Sequence, residues 1–294
     1  MKNKILKSSI LIAILGIVTW SCNKDQIAPS EISVENNTEL FRSFENYNTN
    51  FLATHTNPNR GFWSTLGYIT QIAAADLIGA GAGVTAAAQL ITYAGVATGG
   101  TGAIVAGGVA GIIGAGGASY AASGNPPSGG GSNYTDDVSL NLNLPVNYSF
   151  YNSCGSIHNS YLKSVFYGGQ TQTEWVNSNF PNESDALINI LSNEQTLILF
   201  ENFNTKSTEY KNNGYNYNLL IEEYENLGYL SYNVAEVLKQ FMVSFSQSED
   251  LEDIKTTVDF YTLQVLNSNL IETEKNILFG SLSVALKSPM FWNS

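Results

Sequence analysis

From Leu77 to Thr135 the chain carries no charged side chain, and 13 of its 26 glycines fall between Leu77 and Ala122. Small residues recur there at every fourth position: Ala75, Gly79, Gly83, Ala87, then Gly95, Gly99, Ala103, Gly107, Gly111, Ala115 and Ser119. On a helix, i and i+4 share a face, so this spacing makes a smooth groove that a second helix can approach closely. Thr98-Gly99-Gly100-Thr101-Gly102 breaks the block into two arms of about 20 residues, each spanning roughly 30 Å as a helix. The block predicts a helical hairpin.

The four-residue spacing resembles a glycine zipper, with Gly79, Gly83, Gly95, Gly99, Gly107 and Gly111 as its packing positions and Gly114, Gly116 and Gly117 as further zipper glycines. Large apolar residues favour bilayer insertion by about 0.3 to 0.6 kcal/mol each. The second arm offers few of them: Ile104, Val105, Val109, Ile112 and Ile113. Glycine in a solvated helix costs up to about 1 kcal/mol relative to alanine. Neither bilayer nor water suits such arms alone, so they need partners: each other, copies of themselves, or the rest of the protein. Three readings stay open, namely a self-associating or membrane-interacting hairpin, a hairpin packed on the C-terminal domain, and a partly disordered stretch. The glycines neither follow a strand nor end in Gly-Lys-Ser/Thr, which excludes a phosphate-binding loop.

Ahead of this block, Lys2, Lys4 and Lys7 precede an apolar run from Ile10 to Val18, and Thr19-Trp20-Ser21-Cys22 follows. This is the order of an export signal. Its ending resembles a lipoprotein cleavage box, which implies removal of residues 1–21 and attachment of lipid to Cys22. Cys22-Asn23-Lys24-Asp25 also resembles the start of Bacteroidota surface lipoproteins, so the expected location is the cell envelope, on the outer membrane, with surface exposure as what that resemblance implies and the face left open. Residues 22–37 are polar and read as a tether. The chain has 13 basic residues, three of them in the leading segment, against 25 acidic ones, which leaves −15 once that segment is gone. Residues 136–294 hold 19 acids and seven lysines. That balance repels phosphate backbones, so nucleic acid is excluded as a partner.

The remaining organisation follows from pattern. Residues 38–122 hold one short helix, an Asn-Pro-Asn turn and the hairpin. Residues 123–135 are a Gly/Pro/Ser linker, and 136–294 an acidic domain expected to fold by itself. Val138, Leu140, Leu142 and Leu144 alternate with polar residues up to Pro145, giving at most one short edge strand or an extended crossing. Beyond it the period is helical: Val234, Val237, Leu238, Phe241, Met242 and Phe245 form one apolar stripe. A second helix carries Leu251, Ile254, Val258, Tyr261 and Val265 behind the cap Ser248-Glu249-Asp250, and a third runs from Leu270 to Leu286. Shorter helices are expected near Ser156–Tyr167, Glu183–Phe203 and Asn218–Asn226. The fold class is mainly α, a Gly/Ala-rich hairpin plus a C-terminal α-helical bundle.

Chemistry is sparse. Cys154 and His158 stand four apart, a spacing at which thiol and imidazole meet on a helix, but no orienting partner or nucleophile motif surrounds them. No second Cys/His cluster completes a metal site, and no cofactor is expected. The pair reads instead as a helix start capped by Ser153 or Ser156, with His158 or Asn159 bonded to a neighbouring loop. Asp136-Asp137 and the acids of 249–253 lack the ligand spacing of a calcium loop. Gly155-x-x-His158-Asn159-x-x-Leu162, together with the opening Ala75-Asp76 and the ending Ser281 to Trp292, resembles a group of uncharacterised exported Bacteroidota proteins. That resemblance implies an organisation and a structural latch at His158 and Asn159, and no activity. The expected function is a non-enzymatic envelope lipoprotein, held to the membrane by lipid on Cys22, whose hairpin self-associates or meets a membrane. The alternatives are a contact-dependent toxin resembling glycine-zipper bacteriocins, and a structural or binding lipoprotein with the hairpin packed on the helical domain.

Overall fold

The computed structural model describes residues 37–55, 63–93, 101–124 and 134–294. The signal segment, Cys22, the Asn57-Pro58-Asn59 turn, Gly95, Gly99 and residues 125–133 of the linker lie outside them. Among the described residues the protein is helical, with no strand. Helix α1 is Thr38–Thr54, α2 Trp63–Tyr93, α3 Thr101–Ser123, α4 Ser149–Asn152, α5 Cys154–Tyr161, α6 Gln172–Asn179, α7 Ser184–Ser192, α8 Glu194–Asn212, α9 Tyr217–Asn226, α10 Tyr232–Phe245, α11 Leu251–Leu266 and α12 Glu272–Trp292. Residues 138–144 form neither the edge strand nor the extended crossing expected of them: 138 and 139 are a turn closed by Leu140 N donating to Asp137 O at 3.1 Å, and Asn143 sits at φ 55°, so the segment is irregular.

Helices α2 and α3 form the hairpin, and their contact is backbone on backbone. A β-carbon on Gly111 would sit 2.3 Å from the Gly83 carbonyl, and one on Gly83 would sit 2.2 Å from the Gly111 oxygen. One step along the groove Gly79 faces Ala115 at 3.4 Å, an ordinary contact. The fourfold spacing thus places the two arms as the sequence reading describes at Gly79, Gly83 and Gly111, while Gly107 is buried on α3.

Gly108, Gly114, Gly116 and Gly117 do something else. A β-carbon on Gly108 would strike the Phe150 ring at 2.7 Å, and one on Gly114 the Phe200 ring at 2.5 Å. Gly116 admits Tyr161, and Gly117 admits Asn204. The zipper role expected for Gly114, Gly116 and Gly117 is therefore corrected: they receive side chains of α5 and α8, on faces of α3 turned away from α2. On α2, Gly81 likewise receives Ser281 of α12, 2.7 Å from its would-be β-carbon. The stretch Val105–Ser123 is long and apolar enough to cross a membrane, yet 78% of that window is buried inside the protein. Such helices in a soluble core are covered on every side.

The hairpin and the acidic helices consequently share one core, and Glu39–Ser294 is a single compact unit. The linker composition does not divide the packing. Ile78, Val109, Ile112 and Ile113 belong to the same apolar cluster as Phe203, Phe241, Leu278 and Leu282.

Local signals explain most helix ends. Asp250 caps α11 by accepting from Asp253 N at 2.9 Å, as its sequence implies. The helix expected over 183–203 is two helices. Asn193 turns extended (ψ 136°) and its side chain accepts from Gln195 N, ending α7 and capping α8. Helix α12 overruns its expected end at Leu286 and passes through Pro289 to Trp292. Proline inside a helix costs about 3 kcal/mol. The burial of Phe291 and Trp292 beyond it, at about 1.5 to 3 kcal/mol for a fully buried ring, is of a size to offset that.

These contacts give glycine substitutions opposite signs. Gly79→Ala should leave the melting temperature unchanged or raise it, since helix propensity improves by up to about 1 kcal/mol where space exists. Gly111→Ala should destabilise by roughly 1 to 3 kcal/mol, because the two backbones must part. Thermal melts of both variants check this, and an unchanged Gly111→Ala protein would place α2 and α3 further apart.

Candidate functional site

Asp76 is the only charged residue between Arg60 and Asp136. It lies on α2 facing inward with no exposure. An uncompensated carboxylate there would cost several kcal/mol, so its partners decide whether the core can form. Trp292 Nε1 donates to Asp76 Oδ2 at 2.7 Å, and the Ser288 hydroxyl donates to the same oxygen. His158 Nε2 lies 3.5 Å from the other oxygen, an ion-pair distance at which neither atom makes a well-formed hydrogen bond. Helix α2 is thereby tied to α5 and to the last turn of α12.

The ring's protonation follows from its other neighbour. Asn159 Nδ2 donates to the Lys287 carbonyl at 3.0 Å, which leaves Asn159 Oδ1 as an acceptor, and His158 Nδ1 donates to it at 3.0 Å. With hydrogen on Nδ1, a neutral ring would set its Nε2 lone pair against a carboxylate. The doubly protonated imidazolium removes that repulsion. Burial works against the charge, but the Asp76 carboxylate and the Asn159 bond outweigh it and hold the His158 pKa above its ordinary value.

A second charge is buried alongside. Lys287, only 2% exposed, reaches from α12 to Asp136 Oδ1 at 2.8 Å and to the Asp137 carbonyl at 2.9 Å. Tyr134 OH donates to the same Asp136 oxygen at 2.8 Å. Burial pushes the Asp136 pKa up, but Lys287, Tyr134 and Ser156 together hold it below the usual carboxylate range. The segment around Asp136 and Asp137 is anchored to α12 by this cluster.

The backbone of α5 allows the approach. Gly155 N donates to Ser283 Oγ at 2.9 Å, and a β-carbon on Gly155 would lie 2.2 Å from the Ser283 backbone carbonyl oxygen. Gly155, His158, Asn159 and Leu162 stand at i, i+3, i+4 and i+7, one helix face, and all four are buried. His158 thus pairs with Asp76 of α2 and Asn159 bonds the α12 backbone, and neither bonds a loop, which corrects the sequence expectation. Nor does Ser153 or Ser156 cap α5: Ser153 makes no capping bond, and its hydroxyl donates back to Phe150 O.

Catalytic geometry does not emerge from these residue types. The Cys154 thiol donates to Phe150 O at 3.9 Å, and complete burial pushes its pKa up, away from the reactive thiolate. The His158 ring is occupied by Asp76 and Asn159. Ser288, His158 and Asp76 are the types found in hydrolytic triads, but the Ser288 hydroxyl donates to the carboxylate instead of the imidazole, and all three are fully buried. Among the described residues no three His, Cys, Asp or Glu side chains converge to hold a metal. Sequence reasoning missed Asp76, Asp136, Lys287, Ser288 and Trp292 as partners. The available signal was an isolated charge in an apolar helix, true of Asp76 and also of Lys287, the only charged residue after Lys275. No protein-family model, no curated protein and no solved structure matches the chain.

The two ion pairs bracket a pH window. The raised His158 pKa adds stability that is complete below the ordinary histidine value of about 6.5 and is lost as pH rises through the folded value. The lowered Asp136 pKa adds stability above about 3.9 that is lost as pH falls through its folded value. Breaking the Asp76–His158 pair by His158→Gln should cost about 3 to 5 kcal/mol near pH 6 and progressively less at higher pH. His55, whose pKa is raised by its own Phe51 and Asp253 contacts against partial desolvation, has the same sign. The melts are therefore compared in a His55→Gln background, and a difference that stays constant from pH 6 to pH 9 would mean that His158 is neutral in the folded protein.

Proposed function

We propose that the protein is a non-enzymatic, lipid-anchored envelope protein in which the glycine-rich hairpin is the core of a helical binding or structural body. The anchor is lipid on Cys22, the tether is residues 22–37, and the cell envelope is the location. One observation carries the choice among the hairpin readings: the described side chains of α2 and α3 are packed by α5, α8 and α12, with Asp76 bonded at the centre. A hairpin in use as a membrane element or a self-association surface would give up those partners. Strong negative charge keeps nucleic acid from being a partner.

A second reading keeps the hairpin as a membrane or self-association element released from the body, the toxin version among its forms. It is favoured by the 19-residue apolar stretch Val105–Ser123, which has a mean hydropathy of 1.3. Release must first break the Asp76 bonds and expose the faces that now hold Phe150, Phe200 and Tyr161.

Two measurements divide the readings. A palmitate analogue should label the wild-type protein in cells and not Cys22→Ala; label retained in the variant removes the anchor. Full-length protein added to dye-loaded liposomes should release no dye. Release that rises further when Asp76→Asn loosens the hairpin would move the conclusion to the second reading.

A further inference from the structure

Beside the buried cluster a cleft of about 510 Å³ opens between α5 and α6. Small-molecule sites fall in the range of about 300 to 1,000 Å³. The six residues after α5, Leu162–Tyr167, form a π-helical turn, a distortion that recurs at functional sites. It carries Lys163 and Ser164 into the cleft wall.

The lining has three chemical parts. Ser156, Ser160 and Ser164 stand at i, i+4 and i+8 and present a rail of hydroxyls, of which Ser156 is already engaged with Asp136. Ser160 Oγ accepts from Trp175 Nε1 at 3.2 Å and keeps its own hydrogen to give. Ile157 and Phe180, both half-buried, supply apolar surface.

The third part is charge. Lys163 Nζ donates to the Tyr134 carbonyl at 2.7 Å and has two further hydrogens. Among the described residues no carboxylate lies within ion-pair distance of it, as is also true of Lys211 and Lys275, whereas Lys206, Lys239, Lys255 and Lys287 each have at least one. Asp136, the one carboxylate in the lining, is already held by Lys287 and Tyr134. In so acidic a chain, the cleft therefore presents an unneutralised cation beside hydroxyls and an apolar surface.

We propose that this cleft binds a small hydroxylated anion of the hexuronate class, with the carboxylate on Lys163, the hydroxyls on the serine rail and the apolar ring face over Ile157 and Phe180. This site stands independently of the lipid anchor and of where the hairpin acts, since its test reads binding alone.

Full-length protein in detergent is titrated by calorimetry with glucuronate, with glucose and with inorganic phosphate. Glucuronate should bind saturably at one site, with glucose and phosphate each weaker by roughly tenfold or more, the size expected for losing a charge-assisted hydrogen bond or the hydroxyl contacts. Lys163→Met should bring glucuronate affinity down to that of glucose without lowering the melting temperature. Should that variant melt well below the parent, Ser164→Ala, whose hydroxyl makes no bond to a described residue, should weaken both sugars and leave phosphate unchanged. No saturable glucuronate binding, equal affinity for phosphate, or affinity indifferent to both substitutions overturns the proposal.

Discussion

A helix with glycine on several faces cannot shield its backbone at those positions with its own side chains, and α3 is such a helix. Its glycines meet the Gly83 backbone on one side, Phe150 on another, Phe200 and Asn204 on a third and Tyr161 on a fourth. Each contact replaces a missing β-carbon by a neighbour's atoms, so packing is restored only when all the neighbours are in place. The surrounding helices are thus arranged around α3, and their aromatic rings fill the notches. This is why the composition that resembles a membrane hairpin also serves as the centre of a folded body.

The Asp76 carboxylate adds direction to that packing. Apolar contacts alone would tolerate small shifts of α2 along α12. A buried carboxylate tolerates few, because Ser288, Trp292 and His158 must all reach it together. The opposite charge, Lys287, is one residue before Ser288 and points to Asp136 instead. An ion pair from Lys287 to Asp136 and a hydrogen bond from the adjacent Ser288 to Asp76, itself paired with His158, fix the register of α2, α5, α12 and the segment around Asp136.

How much of this was legible varies by feature, and the reasons are physical. The hairpin and the faces of Gly79, Gly83 and Gly111 could be read because i, i+4 spacing defines a helix face without knowledge of a partner. What covers Gly114, Gly116 and Gly117 could not, since a glycine carries no sign of which neighbour will use its notch. The spacing of Cys154 and His158 suggested a meeting on one helix, but an inward histidine binds whatever the tertiary fold supplies, and here that is Asp76 from 82 positions earlier. Asn193 read as helix interior because its capping role depends on backbone geometry, and α12 passed Pro289 because burial outweighed propensity. The latch role of His158 and Asn159 came only from a resemblance. Their partners were hidden by sequence distance, although the lone charges at Asp76 and Lys287 were visible.

The central claim is that the hairpin is the packed core of the body and not a separate arm. Amide hydrogen exchange of monomeric, detergent-free Cys22→Ala protein tests it most directly, because no bilayer or second copy is then present to protect the hairpin. Peptides covering residues 105–123 should exchange as slowly as those covering α12 and should lose protection together with them as denaturant is added. Rapid exchange of residues 105–123 while α12 stays protected would contradict the account.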